Sequence, residues 1–84
     1  MKNNITIKKQ IIYRSTHRGT KEMDLLLGNF VKKNINFLND AELDDLDKLL
    51  KMEDKILEEW YFDKINFNPL PHNKVTKLLK KFKI

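Results

Sequence analysis

At 84 residues the chain is long enough for one domain with a small core, and we take residues 1–84 as that single domain. Apolar residues make up 40% and charged residues 35%, which is typical of a globular protein, while two Gly and two Pro are too few for the turns of an all-β fold. The net charge of +5 divides into +6 over residues 1–21, −7 over residues 22–63 and +6 over residues 64–84, which argues against a uniformly basic nucleic-acid binder.

Residues 4–14 are open to two interpretations. Ile5-Thr6-Ile7 alternates as a strand would, whereas Ile7, Ile11 and Ile12 lie at helical spacing. We favour a helix, because the rest of the chain offers no second strand to pair with this one.

The following segment, residues 15–19, predicts a junction between helices. The hydroxyls of Ser15 and Thr16 can cap a helix, and Gly19 tolerates positive φ. Beyond it, apolar residues recur at intervals of three and four, which predicts an amphipathic helix over 20–34. Its buried stripe is expected to be Met23, Leu26, Leu27, Phe30 and Val31. Gly28 interrupts that helix, and a glycine there often marks close contact between helices.

Three further helices are predicted after this one. Asn39 and Glu42 form the pattern of a capping box, which begins a helix over 40–52. A fourth helix starts near Asp54 and ends near residue 63, and Asn73 caps the last one. The expected buried residues are Leu43, Leu46, Leu49 and Leu50, then Ile56, Leu57, Trp60 and Tyr61, then Val75, Leu78, Leu79 and Phe82. Of the adjacent aromatics at 60–62, one is expected to be exposed. Five short helices with short connections predict an all-α bundle.

Several kinds of chemistry are excluded by the residues that are missing. There is no Cys, so the chain has no disulfide, no thiolate nucleophile and no cysteine zinc site. His17 and His72 lack the further ligands that zinc needs, and two glycines cannot form a phosphate-binding loop. We therefore expect no enzyme and no metal site. The absence of a long apolar run and of a signal peptide predicts an intracellular protein without a membrane span.

One short stretch, residues 14–24, concentrates unusual side chains. It holds both arginines of the chain, a histidine, a glycine and two carboxylates, namely Arg14, His17, Arg18, Gly19, Glu22 and Asp24. A capped turn between two helices explains this composition. A patch that docks into a polar cleft of another protein explains it as well, since Arg is a multidentate donor and Gly admits a close backbone approach. Arg18 and Glu22 are four apart and can pair.

Within this stretch the chain resembles the succinate dehydrogenase assembly factor family, the small SdhE-like flavinylation factors. The family motif RGxxE is met by Arg18, Gly19 and Glu22. The extension D-x-LLG-x-F is met by Asp24, Leu26, Leu27, Gly28 and Phe30. Many members carry a second Arg where this chain has His17, and an aromatic or basic residue where it has Thr16.

The resemblance implies an assembly chaperone that is not itself an enzyme. It would bind the flavoprotein subunit of succinate dehydrogenase, or of fumarate reductase, and promote covalent attachment of FAD to a histidine of that subunit. It would hold no cofactor stably. Arg18 would donate into the partner's cleft, Gly19 would permit close approach, and Glu22 would accept from the partner or fix Arg18. The six residues of the stretch are thus the expected partner-binding site, with Arg18 and Glu22 exposed on one face.

Two alternatives stay open from the sequence. The Lys-rich ends suit a small regulatory module that binds nucleic acid or a toxin-like partner, although nucleic-acid readers usually add Arg and exposed aromatics. A helical interaction domain with no link to flavin is the other. The missing transit peptide favours the bacterial cytoplasm over the mitochondrial matrix as the expected compartment.

Overall fold

The computed structural model describes residues 4–83, and its regular secondary structure is entirely helical. The five helices are α1 (Asn4–Thr16), α2 (Lys21–Asn34), α3 (Asp40–Leu50), α4 (Asp54–Tyr61) and α5 (Lys74–Lys81), with a 3₁₀ turn, Ile35–Phe37, after α2. No strand occurs within the described range, which confirms the predicted all-α fold and the helical interpretation of residues 4–14. None of these helices combines the length and the hydropathy that a membrane span requires. The single-domain prediction extends to residues 1–3 and 84, which lie outside the described residues.

The predicted apolar stripes of α2 and α3 form the centre of the core. Every stripe residue of these two helices is buried: Met23, Leu26, Leu27, Phe30 and Val31 from α2, and Leu43, Leu46, Leu49 and Leu50 from α3. Helix α1 packs against both helices and contributes Ile11, whereas Ile12 is 48% exposed. A Cβ atom at Gly28 would lie 3.5 Å from Cγ2 of Thr16, so α1 and α2 are in contact at this glycine.

The last two helices complete the core from one side. Leu57 and Trp60 of α4 and Val75 and Leu79 of α5 are buried. The other predicted stripe residues are only half-buried: Ile56, Tyr61, Leu78 and Phe82. Of the three adjacent aromatics, Phe62 is the exposed one, as expected. The connection over 66–71 contains no helix, in agreement with its two prolines.

The side chain of Lys80, in α5, caps the C-terminal end of α4. Nζ of Lys80 donates to the carbonyl oxygens of Trp60 and Tyr61, and it lies 4.7 Å from the centre of the Trp60 ring. A cation is favoured there because the last carbonyls of a helix carry partial negative charge.

The junction between α1 and α2 differs from the prediction in which hydroxyl caps the helix. Ser15 and Thr16 donate to the carbonyl of Ile12, so they belong to the last turn of α1. The N-cap of α2 is Thr20, whose Oγ1 accepts from the N–H of Met23 at 3.2 Å. The sequence pattern located the junction correctly, but the N-cap of α2 is Thr20 rather than Ser15 or Thr16.

The predicted capping box at the start of α3 is confirmed. Oδ1 of Asn39 accepts from the N–H of Glu42, and Oε1 of Glu42 accepts from the N–H of Asn39 at 2.9 Å. This backbone hydrogen bond, with a smaller contribution from Lys74, holds the pKa of the Glu42 carboxyl below its ordinary value. Asn73 caps α5 in the same reciprocal way, with Thr76 as its partner.

We expect Asn39→Ala to lower the free energy of unfolding by about 1 kcal/mol, because the N–H of Glu42 loses its acceptor. Asn36→Ala is the matched control, since Asn36 is exposed and makes one weak contact, at 3.5 Å, with Lys8. Denaturant unfolding of both variants followed by circular dichroism measures the difference. Equal unfolding midpoints would show that the box does not stabilise α3.

Candidate functional site

The predicted site residues lie around the α1–α2 loop, residues 17–20. This loop follows the last turn of α1 and precedes the Thr20-capped start of α2. It also contacts the connection between α3 and α4, which is distant in sequence. The site therefore depends on four helices.

Arg18 is mostly buried, with 8% of its side chain exposed. Its Nε donates to Oδ1 of Asp54 at 2.7 Å, and its Nη1 donates to the carbonyls of Leu50 at 2.6 Å and Arg14 at 3.2 Å. Its Nη2 donates to the carbonyl of Met52 at 2.9 Å. The expectation of an exposed Arg18 is therefore wrong. The reason is that the carbonyl of Leu50 at the end of α3 and that of Met52 in the following connection lack a donor from a helix, and the guanidinium supplies it.

The suggested pair between Arg18 and Glu22 does not form. Arg18 precedes the first residue of α2, so it does not lie one helical turn before Glu22 on a shared face. Glu22 is exposed, and its carboxylate forms no hydrogen bond or ion pair with any other residue of the described chain. Its carboxylate is therefore available to a partner.

Two carboxylates hold the backbone of the α1–α2 loop. Oδ1 of Asp24 accepts from the N–H of Arg18 at 2.6 Å, and Oδ2 of Asp54 accepts from the N–H of Gly19 at 2.5 Å. Asp24 is half-buried, and it acts on the loop rather than at the surface. The φ angle of Gly19 is not positive, contrary to the suggestion that this glycine serves a left-handed turn.

His17 lies on the outer side of the loop and stacks on Tyr13. The two rings are 3.8 Å apart at 17°, and Tyr13 is 62% exposed. Nδ1 of His17 is 2.8 Å from the carbonyl oxygen of Tyr13. A carbonyl only accepts, so Nδ1 carries the hydrogen and, in a neutral ring, Nε2 is left as an acceptor at the surface.

Arg14 lies at the edge of the site and faces α3. Its Nε is 3.2 Å from Oδ1 of Asp47, and its side chain is 40% exposed. The two atoms do not have hydrogen-bond geometry, so the contact is electrostatic. Asp47 has a second cation, Lys51, at 3.4 Å. Arg14 thus contributes to an ion-pair cluster between α1 and α3.

The structure divides the six predicted residues into two groups. His17, Gly19 and Glu22 are exposed around the loop, whereas Arg18 and Asp24 hold it from inside and Arg14 pairs with α3. Partner binding by all six stays a prediction. Within the described residues, no group of three His, Cys, Asp or Glu side chains is placed to hold a metal ion.

Asp54 is the important residue that the sequence did not reveal. A carboxylate in the first turn of a helix is expected from the helix dipole alone, and Asp54 begins α4. No pattern in a single sequence pairs it with Arg18, which is 36 residues away.

Comparison with known proteins gives one family. The family model described as the flavinator of succinate dehydrogenase matches residues 9–83. The FAD assembly factor SdhE of Acetobacter pasteurianus is 36% identical over 74 residues, which are 88% of this chain and 65% of that protein. The mitochondrial succinate dehydrogenase assembly factor 2 of Meyerozyma guilliermondii is 36% identical over 80 residues, 90% of this chain and 59% of that protein. The protein of the same name from Scheffersomyces stipitis is 40% identical over 74 residues, 87% of this chain and half of that protein.

These curated relatives are longer than the chain, which spans between 50% and 65% of their length. No solved structure matches the chain. The relatives named here are assembly factors, one bacterial and two mitochondrial.

Arg18→Ala should lower the free energy of unfolding by about 3 kcal/mol, because it leaves a partly buried carboxylate and two carbonyls without their donor. Arg14→Ala makes the same chemical change and should have an effect below about 1 kcal/mol, since Arg14 is far more exposed and Asp47 keeps Lys51. Thermal and denaturant unfolding of the two variants measure this difference. If Arg18→Ala unfolds like Arg14→Ala, the interior contacts of Arg18 do not stabilise the fold.

Proposed function

Because the chain belongs to the family described as the flavinator of succinate dehydrogenase, we propose that it is an assembly chaperone for that enzyme. In this proposal it binds the flavoprotein subunit and promotes covalent attachment of FAD to a histidine of that subunit. The α1–α2 loop and the start of α2 form the docking surface.

The observation that supports this proposal most is the arrangement of the RGxxE residues. Gly19 and Glu22 are exposed and follow the stacked pair of Tyr13 and His17 closely in sequence, whereas the side chain of Arg18 bonds inside the protein. Such a surface offers a carboxylate, an imidazole acceptor and a bare stretch of backbone. These groups suit a polar cleft that contains donors.

The proposed contribution of the factor is positioning. The histidine and the flavin both belong to the client, and the factor holds the client so that the two lie in reacting geometry. Orientation of reacting groups can account for several kcal/mol of a barrier without any chemical group from the factor. FAD stays with the client throughout, and no residue of this chain bonds to it. The compartment in this proposal is that of the client, the cytoplasm in bacteria.

We expect Glu22→Ala to weaken binding of the flavoprotein subunit at least tenfold and to lower covalent flavin incorporation in parallel. The reason is that donors in the partner's cleft lose the carboxylate that accepts from them. Thermal stability should stay unchanged, since Glu22 is exposed and its carboxylate has no hydrogen-bond or ion-pair partner among the described residues. The measurement is reconstitution with purified flavoprotein subunit and FAD, read out as flavin fluorescence that survives denaturing electrophoresis.

Glu59→Ala is the control, since Glu59 lies near the C-terminal end of α4, away from the loop. It should leave flavin incorporation unchanged. Wild-type protein that neither binds the subunit nor raises incorporation would overturn the proposed function. Normal incorporation with Glu22→Ala would remove Glu22 from the docking surface.

A further inference from the structure

Asp54 binds the α1–α2 loop with both of its carboxylate oxygens. Oδ1 accepts from Nε of Arg18 at 2.7 Å, and Oδ2 accepts from the N–H of Gly19 at 2.5 Å. The side chain of Asp54 is 21% exposed. Asp54 is also the first residue of α4. One carboxylate thus joins α4 to two consecutive residues of the loop.

The close approach of the same carboxylate explains why position 19 of the motif is a glycine. A Cβ atom at position 19 would lie 3.0 Å from Oδ2 of Asp54, so the carboxylate would have to move by a few tenths of an ångström. The φ angle of Gly19 is not positive, and therefore the backbone conformation itself does not demand glycine. What disfavours a side chain at position 19 in the free protein is the close approach of Asp54.

We propose that Asp54, outside the RGxxE motif, is a positioning residue for the docking surface, and that Gly19 is required because it admits Asp54. This inference rests on the proposed function, since the surface that Asp54 positions is the one that meets the flavoprotein subunit. It replaces the expectation that Gly19 is needed chiefly for approach of the partner.

The geometry transmits a displacement of Asp54 directly to the exposed residues. The N–H of Gly19 donates a hydrogen bond to Asp54. The next residue, Thr20, caps the helix that carries Glu22. A carboxylate shifted away from Gly19 leaves this N–H without its acceptor and frees the loop to move. Misplacement of a positioning group by about 1 Å can reduce the rate of a positioned reaction roughly a hundredfold.

The first experiment compares Asp54→Asn with a core variant of similar stability. Asp54→Asn keeps the size of the side chain but turns one of its two acceptors into a donor. Val75→Ala is the control, because Val75 is buried in α5 and makes no polar contact with the loop. At a temperature where both variants are folded, Asp54→Asn should bind the purified flavoprotein subunit at least tenfold more weakly than wild type. Val75→Ala should bind like wild type.

A double-mutant cycle then tests the connection between Asp54 and Gly19. If Gly19→Ala acts by displacing Asp54, adding it to Asp54→Asn should weaken binding by much less than the product of the two single effects. If the double variant loses affinity by the full product of the two single losses, Gly19 contacts the partner independently of Asp54. That result would overturn this part of the proposal. Should Asp54→Asn not fold, Asp54→Glu replaces it, because it keeps a charge beside Arg18 and changes only the reach.

A measurement on the free protein separates this inference from the proposed function. Amide hydrogen exchange at Gly19 should be protected in wild type and at least tenfold faster in the Asp54 variant, with Val75→Ala unchanged relative to its global stability. Equal protection at Gly19 would overturn the positioning role, whatever the client. Affinity within twofold of wild type for Asp54→Asn, or equal losses for Asp54→Asn and Val75→Ala, would overturn it as well. Absence of binding by wild type would instead reject the proposed function.

Discussion

A guanidinium withdrawn from water must satisfy its N–H groups inside the protein, and in this chain that requirement joins three distant segments. Arg18 reaches the carbonyls at the end of α3, the carboxylate that begins α4 and the last turn of α1. The carbonyl of Leu50 gains a donor that its own helix cannot supply, and the carbonyl of Met52 gains one in the connection between α3 and α4. The contacts of Arg18 on the inner side of the α1–α2 loop therefore fix the position of this loop.

This arrangement gives the residues of the motif different physical roles. The arginine is an internal residue, whereas Gly19 and Glu22 are exposed. Removal of Arg18 is expected to disturb both stability and recognition, so loss of function in an Arg18 variant does not locate the interface. Removal of Glu22 changes the surface alone. The two positions thus provide separate measures of how the loop is held and of what it binds.

Local physics made most of the fold predictable from the sequence. Apolar spacing located the last four helices, and the first was inferred because the chain offers no second strand to pair with it. Asn39 and Asn73 marked two helix starts through side chains that bond within three residues. The motif also indicated a candidate site through its resemblance to a family, and partner binding by that site stays a prediction. The burial of Arg18 was missed because charged residues are mostly exposed and because its partner lies 36 residues away. Asp54 was missed because a carboxylate is ordinary in the first turn of a helix. Nothing in the sequence indicated its contact with the distant Arg18.

A domain of this size has a small core, so few apolar contacts are left to order a polar loop at its surface. Ordering a loop at the moment of binding lowers affinity, since the entropy lost there is subtracted from the interaction free energy. The carboxylates of Asp24 and Asp54 order this loop when the chain folds, before any partner is present. An assembly factor must also release its client, so affinity has to come from a few contacts rather than from a large interface. Under the proposed function, this prefolded loop and the neighbouring exposed carboxylate of Glu22 in α2 meet both requirements, because binding then loses no entropy in ordering the loop.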